Sequence, residues 1–202
     1  GMHEKMIEAF KNHEYDILIG TQMVAKGLDF PDVTLVGVVN ADNSLYDENY
    51  NSSERCFDLI TQVIGRSGRR DEKGLAVIQT INPFNPTLEF AANQDYKSFY
   101  NNEISLRKAM IYPPYCDIYS ASFVGENENT VALCAKAFFD ILKELNADNS
   151  QKLIVLGPSP AKISKLNNQF RYRLSIKCKN SKKIRKLFND ILIRLCKIKE
   201  YK

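Results

Sequence analysis

The sequence predicts an α/β fold in two parts. A parallel-sheet unit fills the N-terminal half, and a small α+β unit of the split βαβ kind follows it. Three observations carry this. Short, continuous apolar runs flank a helical pattern before residue 82. Prolines at 113 and 114 then interrupt the chain. After them the patterns run strand, helix, strand, strand, helix.

The elements follow in order. A helix spans about 3–12. The runs DILIG (16–20), VTLVGVVN (33–40) and LAVIQT (75–80) are continuous rather than alternating, as strands buried on both faces of a parallel sheet are. Between the last two, residues 52–64 place Phe57, Ile60 and Ile64 at helical spacing. Asn51 is the expected N-cap, with Glu54 completing a capping box. INPFNP (81–86) ends this part. Residues 87–110 read as helical through Leu88, Ala91, Ala92 and Tyr96, then Phe99, Ile104, Leu106 and Met110. Tyr112-Pro113-Pro114-Tyr115 is a stiff extended join. IYSASFVG (118–125) and KLIVLGP (152–158) read as strands around the amphipathic helix 130–145. AKISKL (161–166) and QFRYRLSIKCK (169–179) form a hairpin about Asn167-Asn168. The helix 181–198 carries the apolar stripe Ile184, Leu187, Phe188, Ile191, Leu192 and Leu195. The expected domains are therefore 1–82, a helical connector 83–112, and 113–202, the last without the final strand of a full split βαβ sandwich.

Composition narrows the function classes. Among 202 residues, 44% are hydrophobic, enough for a core. No apolar run approaches the roughly 18–20 residues of a membrane span, and GMHEKMIEAF does not read as a signal peptide. Five cysteines, none at CxxC spacing, read as reduced core thiols of a cytoplasmic protein, with no metal site. His3 and His13 are isolated surface residues. Charge is uneven: residues 1–112 carry net −5, residues 113–202 net +9, and residues 152–202 net +13. A polyanion partner for the C-terminal part follows. In FRYRLSIKCK, strand alternation puts Arg171 and Arg173 on one face and Phe170, Tyr172 and Leu174 on the other. Lys182, Lys183, Arg185 and Lys186 crowd the start of the last helix against its dipole, which a nearby anion would relieve.

Two stretches carry chemistry. GTQMVAKGLDFPDV (20–33) follows a predicted strand, where open α/β sheets bind ligands, so Thr21, Gln22, Lys26 and Asp29 are candidates. Gly27 permits close backbone approach to a ligand. QVIGRSGRR (62–70) sets Arg66 and Arg69 three apart, suited to phosphoryl oxygens. Yet the chain contains no GxxxxGK[ST] loop to hold a triphosphate.

QVIGRSGR fits the QxxGRxGR motif of superfamily 2 helicases. GTQMVAKGLDFPDV resembles the fifth helicase motif in the form used by the primosomal protein N′ (PriA) family of replication restart helicases. NADNSLY (40–46), SSERCFDLITQV (52–63), YPPY and LGPSPA (156–161) also sit at landmarks of that family, so the resemblance covers nearly the whole chain. It implies that residues 1–82 are most of the second RecA-like lobe of a 3′→5′ DNA helicase driven by ATP and Mg2+. Residues 113–202 would be the family's C-terminal domain. Gln62, Arg66 and Arg69 would face ATP, with Arg69 as arginine finger and Arg66 on the γ-phosphate. Gly27 and Asp29 would line the nucleotide side of the cleft. Thr21, and more weakly Gln22 and Lys26, would meet the DNA backbone. Arg171, Arg173, Lys182 and Lys186 are the DNA-binding candidates of the basic part. Implied partners are forked or single-stranded DNA, the single-stranded-DNA-binding protein and other primosome proteins.

This sequence departs from the family pattern. The phosphate loop, the acidic Mg2+ motif, the first lobe, the zinc-binding cysteines and the fork-recognition region are absent from it. Ser67 replaces a frequent alanine, and Asn51 a frequent arginine. The chain therefore reads as the C-terminal portion of such an enzyme, ATP and Mg2+ being held mainly by the first lobe and zinc elsewhere in the family protein. The alternative is a non-catalytic module that docks nucleic acid or an acidic protein tail.

Overall fold

The computed structural model describes residues 1–21, 30, 32–65 and 74–198. The chain forms two compact units, Gly1–Ile104 and Ser105–Lys202.

In the first unit, α1 (Met2–Lys11) precedes two parallel strands, β1 (Leu35–Val38) and β2 (Leu75–Ile78), in register Leu35↔Leu75 through Val38↔Ile78. Between them run α2 (Asp42–Leu45) and α3 (Ser52–Ile64). This is the βαβ crossover expected of parallel neighbours. Helix α3 forms where the apolar spacing placed it and buries Cys56, Phe57, Ile60 and Val63. Its start differs from expectation. The Asn51 side chain makes no cap bond, because Asn51 sits at φ −106°, ψ 22° in a turn leading into the helix. Residues 17–20 do not form the expected strand. Ile17 and Ile19 are 78% and 89% exposed, so no burial repays their ordering.

The helical stretch expected over 87–110 comprises two helices, α4 (Pro86–Ala92) and α5 (Tyr96–Ala109). Asn85 caps α4 by accepting from the Thr87 N–H, with Pro86 at the first helical position. Gln94 then adopts φ 53°, and Asp95 accepts from the Ser98 N–H at 3.0 Å to start α5 afresh. Leu88, Ala91 and Phe99 join Cys56, Phe57 and Ile60 in one core, where the Phe57 and Phe99 rings stack at 4.2 Å.

The second unit contains β3 (Asp117–Gly125), α6 (Glu128–Leu145), β4 (Ile154–Leu166), β5 (Gln169–Cys178) and α7 (Lys182–Leu195). The sheet order is β3-β5-β4 and all pairing is antiparallel. Strands β3 and β4 therefore run parallel with β5 between them, the split βαβ arrangement the sequence predicts. Both helices pack on one face: Phe123, Leu174 and Ile176 meet Val131, Ala135, Phe138, Leu142, Leu187 and Ile191 in a single core. Asn167 and Asn168, at φ 50° and 60°, turn the β4–β5 hairpin. The two runs expected at 152–158 and 161–166 are one strand, kinked by register shifts between Leu156 and Ser159 and between Pro160 and Lys165.

Candidate functional site

In the first unit, α3 turns Gln62 to solvent on the side opposite its buried stripe, three residues before the helix ends at Gly65. Thr21, ten residues beyond the last residue of α1, is exposed. Gln22, Lys26, Gly27, Asp29, Arg66 and Arg69 lie outside the described residues. Asp42 stands at the carboxyl ends of the parallel strands, where ligands bind in open α/β sheets. Its carboxylate accepts from Thr80 Oγ1 at 2.9 Å and from the Ile81 N–H at 3.0 Å. It thereby ties the segment after β1 to the segment after β2. Burial, reinforced by the Asp42 charge, pushes the Cys56 thiol up to about 11, so it stays protonated and inert at neutral pH. Desolvation likewise raises Cys116, Cys134 and Cys178. All five cysteines are free, and Cys196 is exposed rather than in the core. Among the described residues no three His, Cys, Asp or Glu side chains come together as a metal-ligand group.

In the second unit, strand register settles which basic residues share a face. Arg171 pairs with Val124, and Arg173 pairs with Ser122 on one side and Ser159 on the other. These residues alternate with Tyr172 and Leu174, which face the helices. Arg171 and Arg173 therefore lie together, half-buried, on the sheet face that carries no helix. Lys182 and Lys186 are exposed on α7, in the layer on the other side of the sheet. Ser181 caps that helix by accepting from the Ile184 N–H. The structure thus joins the two arginines and separates the two lysines from them.

Lys177, in phase with the arginines, behaves differently. It is 7% exposed, donates to the Met110 carbonyl at 2.9 Å and lies 3.4 Å from the centre of the Tyr112 ring. It fastens the YPPY segment to the sheet beside a cleft of about 520 Å³, lined in part by Tyr115, Lys152 and Lys179. Alternation alone gives no signal for this, since the burial comes from residues 65 and more positions away. The serines flanking Arg173, Ser122 and Ser159, were likewise invisible as a group, because register brings them together from the two strands on either side of β5.

The helicase conserved C-terminal domain family matches residues 2–71, and the primosomal protein N C-terminal domain family matches residues 108–195. The replication restart protein PriA of Bacillus subtilis (strain 168) is 40% identical over 192 residues, 95% of this chain and 24% of that protein.

The chain belongs to the PriA family.

The family's replication restart protein PriA from Synechocystis is 37% identical over 177 residues, covering 88% of this chain and 21% of that protein. The one from Chlamydia muridarum is 38% identical over 190 residues, 94% of this chain and 25% of its own length. The chain spans about a quarter of the length of the curated PriA relatives it matches. No helix among the described residues is long and apolar enough to cross a membrane.

Proposed function

We propose that the chain supplies the second motor lobe and the basic C-terminal domain of an ATP-dependent 3′→5′ DNA helicase of replication restart, working in the bacterial cytoplasm. The observation that carries this reading is the order of the two matched domains on one chain, with GTQMVAKGLDFP and QVIGRSGR where the family resemblance assigns them. ATP and Mg2+ are held mainly by a first lobe. Gln62, Gly27 and Asp29 complete the nucleotide side of the cleft, and Arg66 and Arg69 meet the γ-phosphate. An always-charged, planar guanidinium there stabilises charge that develops on the transferred phosphoryl group. Thr21, with Gln22 and Lys26, holds a DNA phosphate, so that lobe closure on ATP moves the strand. Phosphate contacts of this kind position a strand without reading its sequence. The partners are forked or single-stranded DNA, the single-stranded-DNA-binding protein and primosome proteins.

The test is DNA-stimulated ATPase in a longer polypeptide that also carries the first lobe. Arg69→Ala is expected to lower kcat by ~10³–10⁵. The 202-residue chain itself is expected to show no steady turnover, since it has no GxxxxGK[ST] loop. Turnover by this chain that disappears in Arg69→Ala would overturn the shared site. Undiminished ATPase of Arg69→Ala in the longer polypeptide would remove the finger role. The second reading is a non-catalytic module that docks nucleic acid or an acidic protein tail. It wins if adding the first lobe restores no ATPase.

A further inference from the structure

Helices cover only one face of the three-stranded sheet of the second unit; on the other face the YPPY segment covers Lys177 at one end, while Arg171 and Arg173 lie farther along the strand. Register sorts its residues without ambiguity. The helix side holds Phe123, Tyr172, Leu174, Ile176 and Tyr119. On the open side Arg173 lies between Ser122 and Ser159, and Ser175 lies between Ser120 and Leu156. Arg171 beside Val124, and Ile118 and Ile154 flanking Lys177, complete the face. Ser120, Ser122 and Ser159 are exposed, and the two arginines are half-buried.

Two features of this set point to a ligand class. The paired residues of the open face include no carboxylate, in a segment (152–202) whose net charge is +13. The surface is therefore complementary to a polyanion. Guanidinium and hydroxyl donors side by side are the groups that contact phosphate and sugar oxygens. The paired residues also include no aromatic side chain, because the sheet's aromatics all fall in the opposite phase. A platform for single strands relies on aromatic rings for bases to stack on. Tyr112 lies over Lys177 at the far end, but the strand residues paired with Arg171 and Arg173 offer no ring, so unstacked bases gain little there, while a duplex presents phosphates at twice the linear charge density with its bases already stacked.

We infer that the open β3-β5-β4 face binds the sugar-phosphate backbone of duplex DNA, through Arg171, Arg173 and the serines around them, without stacking on bases. The inference rests on the reading of Arg171 and Arg173 as DNA contacts and adds the form of DNA and the face that takes it. Lys182 and Lys186, on the helix side, are not part of this contact.

The experiment is fluorescence anisotropy with the 202-residue chain, using a labelled duplex and its single strand of equal length across a salt series. The duplex is expected to bind more tightly. Arg171→Gln with Arg173→Gln is expected to lower the slope of log K against log salt by about 1.8, at roughly 0.9 per duplex phosphate contact. Ser120→Ala with Ser122→Ala should weaken duplex binding with the slope unchanged, since a hydroxyl displaces no counterion. Ser122→Asp changes an exposed position, leaves the core untouched, and should abolish duplex binding. Circular dichroism confirms that each variant keeps its fold, and the Ser122→Asp arm decides should the double arginine variant lose it. Equal or tighter binding of the single strand, with the slope still sensitive to the arginines, would overturn the duplex assignment and leave the DNA reading standing. Duplex binding that ignores both the arginine and Ser122→Asp changes would overturn the face. No binding to either DNA would overturn both.

Discussion

A lysine ammonium taken out of water needs oxygen lone pairs or a π face in place of its hydration. Lys177 finds both, in the Met110 carbonyl and the Tyr112 ring, and it joins the end of α5 and the YPPY segment to the middle of the sheet. Arg173 and Arg171, two and three alternations earlier on the same strand, remain half-buried. Three cations in one phase thus divide into a fastener and two surface groups. Lys177→Ala should cost roughly 2–4 kcal/mol, combining a hydrogen bond to a charged donor with a desolvated cation–π contact. Chemical denaturation reads this as a lower midpoint at unchanged slope. The same variant, where folded, should leave the salt dependence of DNA binding as it is. A loss of slope comparable to that of the arginine variants, with stability intact, would show that Lys177 meets phosphate instead.

At the scale of elements, β4 is the informative case. Gly157 and two prolines within six residues suggest two strands with a break, yet β5 pairs with Ile154–Leu156, with Ser159 and Pro160, and again with Lys165 and Leu166, across two register shifts. The strand passes Gly157 at φ +95°, where a Cβ would stand 2.8 Å from the Arg173 carbonyl oxygen. Both the positive φ and the close approach require glycine. Gly157→Ala should therefore destabilise the second unit by roughly 1–3 kcal/mol, seen as a shift in its thermal midpoint; an unchanged midpoint would mean that β4 relaxes around the methyl group. This kink also explains what could be read in advance. Helix α3 was legible to its last residue, because its apolar spacing and terminal Gly65 agree with its packing. The break between α4 and α5 was not, because Asn93, Gln94 and Asp95 interrupt a pattern whose apolar spacing continues on both sides. The strand expected at 16–20 has the right residues, but β-propensity without a covered face does not hold a strand. For the candidate site, the family resemblance singled out Gln62, a place after a predicted strand singled out Thr21, and alternation placed Arg171 and Arg173 on one face. Strand order was needed to add Ser120, Ser122, Ser159 and Ser175 to them.

At the scale of the molecule, the two units differ in how completely their sheets are enclosed. In the first, β1 and β2 are four residues each, and Leu35, Leu75 and Val77 are at least half exposed on the face away from α3. Parallel sheets are usually covered on both faces. In the second, β5 is ten residues long and bonded along both edges, with Leu174 and Ile176 fully buried beneath it. Backbone protection tracks burial and shared hydrogen bonding, so local opening should cost least where a strand is short and half bare. Native-state hydrogen exchange should find the β5 amides the slowest in the chain, and those of β1 and β2 exchanging markedly faster. Added denaturant should leave β5 protection in place after that of β1 and β2 has gone. Equal protection of β2 and β5 at every denaturant concentration would mean that one cooperative transition governs the whole chain. In that case the bare face of the parallel sheet would carry no energetic penalty, and the stability of the first unit would have to come from the α3–α4–α5 core built on Phe57, Ile60, Leu88 and Phe99.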